Sequence, residues 1–250
     1  MNIRLMTLGL AALLMAAPAV ADDADVELAR ELLDGTDDIY RGTSSVATMK
    51  MNVKTERWTR SLTMKSWSKG EEKSLVRIVE PAKEAGVTTL KVGENIWNYL
   101  PKVDRTMKVP AGLMSGSWMG SHFSNDDLVK ESRMADDFTF AITERPDGDK
   151  GNWVVECTVK EDAAVVWGKV LVKLRPDRLP EKITYYDEKD VLVRTMSFQD
   201  YREIDGRMMP STMRLTPEDK PGEYTEVIYD DLSFSEEVPD SMFTLQALKE

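Results

Sequence analysis

The stretch SVATMKMNVKTERWTRSLTMKSW, residues 45–67, decides the fold. Ala47, Met49, Met51 and Val53 occupy every second position against Val46, Thr48, Lys50 and Asn52, and Leu62 and Met64 resume the alternation across Thr63. Side chains alternate between the two faces of a strand, so this spacing predicts strands that each bury one face. The same period recurs over 75–79, 88–92, 96–100, 153–159, 165–174, 183–185, 191–198, 213–215 and 224–229. Turn formers punctuate these runs: Gly70, Gly93 with Glu94, Asp147 with Gly148, Lys189 with Asp190, Asp205 with Gly206, and Pro221 with Gly222. Many short antiparallel strands with close turns predict a mainly β protein with a few helices, its sheet curled into a barrel, a partial barrel or a sandwich.

Two segments depart from that period. Over 25–40, Leu28, Leu32, Leu33, Ile39 and Tyr40 are spaced as on one face of a helix, with Asp25 placed to cap it and Gly35 as its weak point. Over 110–133 periodicity disappears. Pro110, Gly112, Gly116 and Gly120 interleave with Leu113, Met114, Trp118, Met119 and Phe123, and Ser124 with Asp127 three residues on opens a short helix expected to run through Arg133. The glycine spacing resembles a membrane-helix packing motif, but the segment is too short and serine-rich, and each glycine would cost a helix about 1 kcal/mol. A tightly turned loop accounts for it better. Connections are normally polar, so a loop this apolar must tuck into a cavity or cover one.

Arg4, the apolar run 5–17, Pro18 and the small triplet Ala19, Val20, Ala21 read as a secretory signal over 1–21, cleaved after Ala21. The apolar run is shorter than the ~20 residues that span a bilayer, and the sole cysteine, Cys157, is far from the position an acylation signal requires. The expected product is a soluble single domain over 22–250 in the periplasm. One cysteine allows no internal disulfide, so the fold must rest on its core. Forty-four acids against 33 bases give a net charge of −11, which repels nucleic acid and anionic headgroups and limits membrane contact to transient, apolar touches. A content of 42% hydrophobic and 31% charged residues excludes a disordered chain.

Little in the sequence carries chemistry. His122, the only histidine, has Ser117, Ser121, Ser124, Asp126 and Asp127 near it, but no G-x-S-x-G elbow accompanies them. The acidic pairs at 126–127, 136–137, 230–231 and 236–237 read as solvated surface. One histidine and one cysteine cannot build a zinc site, Asp147 and Asp149 lack the rest of a calcium loop, and no phosphate-binding glycine loop occurs. No catalytic residue, metal or cofactor is therefore expected. Cys157 falls in phase with Trp153, Val155 and Val159, which predicts a buried, inert thiol. What stands above background is soft apolar material, twelve methionines after residue 21 and six tryptophans, suited to a cargo without fixed shape.

The segments WNYLP (97–101) and MGSHFSNDDL (119–128), with Pro81 and Gly86 upstream and DSMFTLQAL (240–248) at the end, resemble the longer, LolA-like branch of the outer-membrane lipoprotein-sorting protein family. The resemblance runs over nearly the whole chain after the signal. His122 departs from it, since the family more often has an acid there. The resemblance implies an incomplete antiparallel β-barrel with helices and a loop covering an apolar concave face, lipid or an acylated protein as cargo, and an association with RND or MMPL-type inner-membrane transporters.

The expectation is thus a non-catalytic periplasmic carrier or chaperone that holds hydrophobic cargo in a β-sheet cavity and passes it toward the outer membrane. Trp97, Tyr99, Trp118 and Phe123 are expected to line or rim the cavity, with Leu113, Met114 and Met119 as a compliant cover. The alternatives are a non-catalytic adaptor that docks to such a transporter through the apolar loop and, less favoured, a hydrolase using Ser121 and His122.

Overall fold

The computed structural model describes residues 23–130, 137–161, 163 and 165–250. The signal segment with its cleavage after Ala21, Met134, and the end of the helix expected through Arg133 lie outside the described residues.

Among the described residues, thirteen strands form one antiparallel sheet: β1 (Ser44–Lys54), β2 (Thr59–Lys69), β3 (Lys73–Glu80), β4 (Thr88–Val92), β5 (Asn95–Leu100), β6 (Arg105–Lys108), β7 (Phe138–Glu144), β8 (Trp153–Val159), β9 (Lys169–Leu174), β10 (Pro180–Tyr186), β11 (Leu192–Ile204), β12 (Arg207–Pro217) and β13 (Tyr224–Ser233). Their order is β6-β5-β4-β3-β2-β1-β13-β12-β11-β10-β9-β8-β7. Two meanders are joined where β1 pairs with β13, and β6 and β7 do not meet, so the sheet is an incomplete barrel. Strands β6 and β7 were not anticipated from the sequence, and β11 and β12 run well beyond the expected 191–198 and 213–215.

Helix α1 (Asp23–Asp38) begins two residues before the expected cap and continues through Gly35. Its Ala29, Leu32 and Leu33 are buried in the main core, and ion pairs from Asp25 to Arg145 (2.6 Å) and from Glu31 to Arg178 (2.7 Å) fasten its outer side. The main core takes the inward face of the sheet: Met49, Met51 and Val53 of β1, Leu62 and Met64 of β2, and Val155 and Cys157 of β8 are each under 8% exposed. This is the face the alternation predicted for β1, β2 and β8.

The opposite face has its own, smaller cluster. Leu75, Leu90 and Tyr99 pack there with Val238, Phe243, Ala247 and Leu248 of the C-terminal segment. Arg77 donates to the Ala247 carbonyl (2.6 Å), and Asp240 is bridged by Lys73 (2.8 Å) and Lys69 (3.1 Å). The segment recognised as DSMFTLQAL therefore covers the outer surface of β3, β4 and β5. No helix among the described residues is long and apolar enough to cross a membrane.

Candidate functional site

Between the inward face and α1 lies a cavity of about 260 Å³. Its wall is apolar along Met49, Val76, Phe140, Ile183, Met196, Phe198 and Val227. An engineered apolar cavity of ~150 Å³ already binds benzene, so this one accepts more than a single ring. Register gathers Ser45, Ser66, Ser68 and Ser74 at one polar end, and Arg30, Asp34, Thr36, Arg41 and Glu71 also line the cavity. Asp34 and Glu71 are the exposed members of the lining, which places the mouth between the C-terminal half of α1 and the β2–β3 turn. There Ser45 Oγ lies 2.7 Å from Ser68 Oγ and donates to the Tyr40 carbonyl (3.1 Å), while the Tyr40 ring stacks on Tyr229 with centroids 4.6 Å apart.

The apolar loop closes the other end as a pinned strap. The Trp118 indole N–H donates to Thr89 Oγ1 on β4 (3.1 Å), and Arg60 of β2 donates to the Met119 carbonyl (2.6 Å) while ion-paired with Glu84. The His122 backbone N–H donates to Thr225 Oγ1 on β13 (2.9 Å). Asp127, opening α2 (Asp127–Lys130), meets Arg194 of β11. The strap thus crosses from β4 to β11. Along β1 two of its pins lie level with Val53, the partner of Arg60 and Thr225, eight residues from Ser45 and roughly 26 Å away at the strand rise of ~3.3 Å, whereas Thr89 is in register through Val76 and Ser66 with Ala47. Gly120 has φ +73°, and a Cβ there would stand 3.2 Å from Arg60 Nη1; at Gly116 a Cβ would sit 3.0 Å from the Leu113 carbonyl. Two of the three glycines are therefore demanded by the strap's turns.

Asp127 is the strap's electrostatic anchor. The Ser124 N–H donates to Asp127 Oδ2 (2.8 Å) and the Asp127 N–H to Ser124 Oγ (3.1 Å), the reciprocal cap that the Ser124 and Asp127 spacing predicted. Arg194 donates to both carboxylate oxygens (2.7 and 2.8 Å), and its guanidinium lies 4.4 Å from the Trp167 ring centre and 4.2 Å from that of Tyr185. Burial pushes the Asp127 carboxyl up, but the hydrogen bonds and charge of Arg194 with the bonds from Ser124 outweigh it and hold the group below its ordinary value.

His122 is committed structurally. Nε2 lies 3.0 Å from Glu223 Oε2 and Nδ1 lies 2.8 Å from Thr225 Oγ1. The Glu56 backbone N–H, then His122, hold the Glu223 carboxyl below its ordinary value, so Nε2 carries the proton toward it. Ser121 Oγ donates to the Trp118 carbonyl (2.7 Å) and is buried. Both imidazole nitrogens are thus occupied by groups other than Ser121, and no nucleophile and base share a proton in this arrangement. Among the described residues no group of three or more metal-ligating side chains occurs.

Of the residues expected to bind cargo, Trp118 and Phe123 line the cavity. Trp97 and Tyr99 stand on the opposite face, because the register pairs them with Leu90 and Thr88, out of phase with Thr89, and they pack under the C-terminal segment. Leu113 is 61% exposed, Met114 half-buried, and Met119, with φ +50°, packs against the main core. Sequence reasoning missed the α1 contribution of Arg30 and Leu33 and the serine-lined end. The signal was present, since Ser45, Ser66 and Ser68 continue the inward phase of Met49 and Met64.

Residues 70–250 match the sequence model of a family described as "Uncharacterized protein", DUF1329. The chain belongs to that family. A solved DUF1329 protein from Desulfovibrio piger is 22% identical, with 90% of this chain and 99% of that one covered at a TM-score of 0.78. An outer membrane lipoprotein-sorting protein domain from Vibrio parahaemolyticus is 24% identical, with 91% and 99% covered at 0.74. A LolA superfamily protein from Nitrosomonas europaea is also 24% identical, with 88% and 98% covered at 0.71. This DUF1329 chain therefore has the LolA-like fold over nearly its whole described length. No curated protein sequence matches it.

Proposed function

We propose that this chain is a non-catalytic carrier that receives an acyl chain of a lipid or lipoprotein in the periplasm and releases it toward the outer membrane. The observation that carries the reading is an apolar cavity held open inside an otherwise well-packed sheet. The apolar part of its wall offers packing partners that a bound chain would engage. Each methylene moved from water into such a wall contributes ~0.8 kcal/mol, so a chain of ordinary length is held firmly yet released once an acceptor offers an equally apolar site. Trp118 and Phe123 of the strap form part of the wall against which the chain rests. Support also comes from the fold shared with the Vibrio outer membrane lipoprotein-sorting domain and the Nitrosomonas LolA superfamily protein, and from the signal-like first 21 residues.

The test is a titration of a fluorescent fatty acid into the purified chain, with organic extraction and mass spectrometry of protein taken from the periplasm. A saturable blue-shifted signal and an extractable amphiphile are expected. Failure of both would remove the carrier reading.

A further inference from the structure

The acidity of the chain is not spread evenly. The turns at 187–190 and 218–223 each carry three acids against one lysine. The hairpin joining β5 to β6 is the reverse: over 101–108 Lys102, Arg105 and Lys108 stand against Asp104 alone, and all four are exposed. Asp104 is taken up by Lys249 of the C-terminal segment, whose Nζ lies 2.9 Å from its Oδ1, so a fourth base joins the same tip. None of Lys102, Arg105 and Lys108 is ion-paired among the described residues; Lys108 lies 5.7 Å from the Trp97 ring centre instead. Val103, between Lys102 and Asp104, is 66% exposed, more than any other large apolar side chain among the described residues. The tip is ordered before it meets anything. The Asp104 N–H donates to the Pro101 carbonyl (3.2 Å), the Tyr99 hydroxyl donates to Asp104 Oδ1 (3.2 Å), and Pro101 packs on Gly86, where a Cβ would stand 3.3 Å from the proline ring. Strand β6 is the free edge of the sheet and is four residues long. Short edges bearing lysine discourage the addition of another strand, which explains Lys108 and disfavours a protein strand as partner. Edge protection explains neither Val103, which lies outside the strand, nor Lys249, which comes from the other end of the chain.

We propose that the β5–β6 hairpin docks this chain on an anionic bilayer surface, with Lys102, Arg105, Lys108 and Lys249 against lipid phosphates and Val103 entering the headgroup layer. Basic side chains near an anionic leaflet and an apolar group beside them act together in such a contact. The net charge of −11 predicts repulsion from the same surface. Screening confines that repulsion to about 8 Å at physiological salt, so a contact made through the tip is governed by the tip's own charge. The hairpin is also tied to the cavity wall. Register runs from Met107 of β6 through Asn98 of β5 to Thr89 of β4, and the Thr89 hydroxyl donates to Asn98 (2.6 Å) while accepting from the Trp118 indole (3.1 Å). Docking therefore sets lipid against the sheet edge two strands from a pin of the strap. It does not depend on what the cavity holds.

The experiment is co-sedimentation of the full chain after the signal with vesicles of phosphatidylcholine alone and of phosphatidylcholine mixed with phosphatidylglycerol, at ~0.15 M salt. Partitioning onto the anionic vesicles is expected to exceed that onto the neutral ones at least about tenfold, and to disappear at ~1 M salt. The double variant Lys102→Glu with Arg105→Glu should lose at least about tenfold of it. Lys150→Glu with Lys189→Glu, the same charge change in two other turns, should lose much less. As a second measurement that leaves the basic residues in place, Val103→Cys carrying an environment-sensitive dye should shift to the blue on anionic vesicles only, since Cys157 is buried. Equal partitioning on both vesicles, equal losses in the two double variants, or a dye at 103 that is blind to anionic vesicles overturns the docking. A chain that docks in this way yet takes up no fatty-acid probe confirms the docking and removes the carrier reading, so the two fail separately.

Discussion

Replacing Ala47 by phenylalanine asks whether the space beside β1 is a binding cavity or packed core. Ala47 is 3% exposed, sits in the middle of β1, and its side chain faces the cavity between Ser45 and Met49. In a close-packed interior, adding this much side chain forces off-rotamer neighbours and costs typically 1–3 kcal/mol. Beside a void of about 260 Å³ the ring has room, and fully burying it contributes ~1.5–3 kcal/mol. The two cases therefore differ in sign. For a chain of this size 1 kcal/mol moves the melting point by about 2–4 °C, so Ala47→Phe is expected to melt between no change and roughly 10 °C above the parent, where ordinary core would melt up to roughly 12 °C below it. The same ring occupies the volume a cargo chain needs. A fluorescent fatty-acid titration run beside the melt should show affinity reduced at least tenfold. A melting point lowered by more than a few degrees would refute the cavity; a stable variant with unchanged probe affinity would refute its occupation by the chain.

Arg194→Met should lower stability by roughly 3–5 kcal/mol, because Asp127 is left buried and unpaired, and the double variant with Asp127→Leu should recover much of that loss in a urea melt. The same pair makes stability pH-dependent. Its folded-state carboxyl titrates below the ~3.9 of an unfolded aspartate, so the contribution is complete above that value and disappears as pH falls through the depressed one; acid melts of the parent and of the double variant should diverge only below about pH 4. Cys157 is fully buried and its thiol is pushed up to about 12 by burial and then by Glu156, so a thiol reagent should label the native protein slowly at pH 8 and rapidly in denaturant. Protein recovered from the periplasm should have the intact mass of a chain beginning at Asp22, without a lipid adduct.

What was legible in the sequence follows from which faces are covered. In β1, β2 and β8 the outer positions are polar or half-exposed, so alternation identified strand and buried face together. In β5 it could not. Ile96 is buried on the inward side and Tyr99 on the other, so both faces of NIWNYL are covered and a period of two says nothing about which one meets the cavity. The answer depended on DSMFTLQAL, 140 residues further along, folding back over the outer face. Strand β6 has the sequence RTMK on an exposed edge, with no apolar face to betray it. Strand β7 is different: Phe138, Phe140 and Ile142 alternate plainly, a short signal next to the aperiodic segment. The strap was legible as an apolar loop needing cover. Its pins were not, since Thr89, Arg60, Thr225 and Arg194 each bond it from a different strand.

The cavity itself is written in a gradient along the strands rather than across them. Read inward-facing positions only, from the strap to the mouth: β1 runs Val53, Met51, Met49, Ala47, Ser45; β2 runs Leu62, Met64, Ser66, Ser68; β3 runs Ile78, Val76, Ser74. The register lays these rows side by side, with Met49 opposite Met64, Ala47 opposite Ser66, and Ser45 opposite Ser68, which in turn faces Ser74. Side chains of core size give way on three adjacent strands to small ones at the same level. Small side chains cannot reach α1 across the gap, so a void opens where they begin, and hydroxyls rather than methyls finish the series where it meets water. A serine in the inward phase of one strand would be an isolated polar residue needing a partner. Four of them on three paired strands mark the polar end of a cavity, and that pattern can be sought in a sequence once register is known.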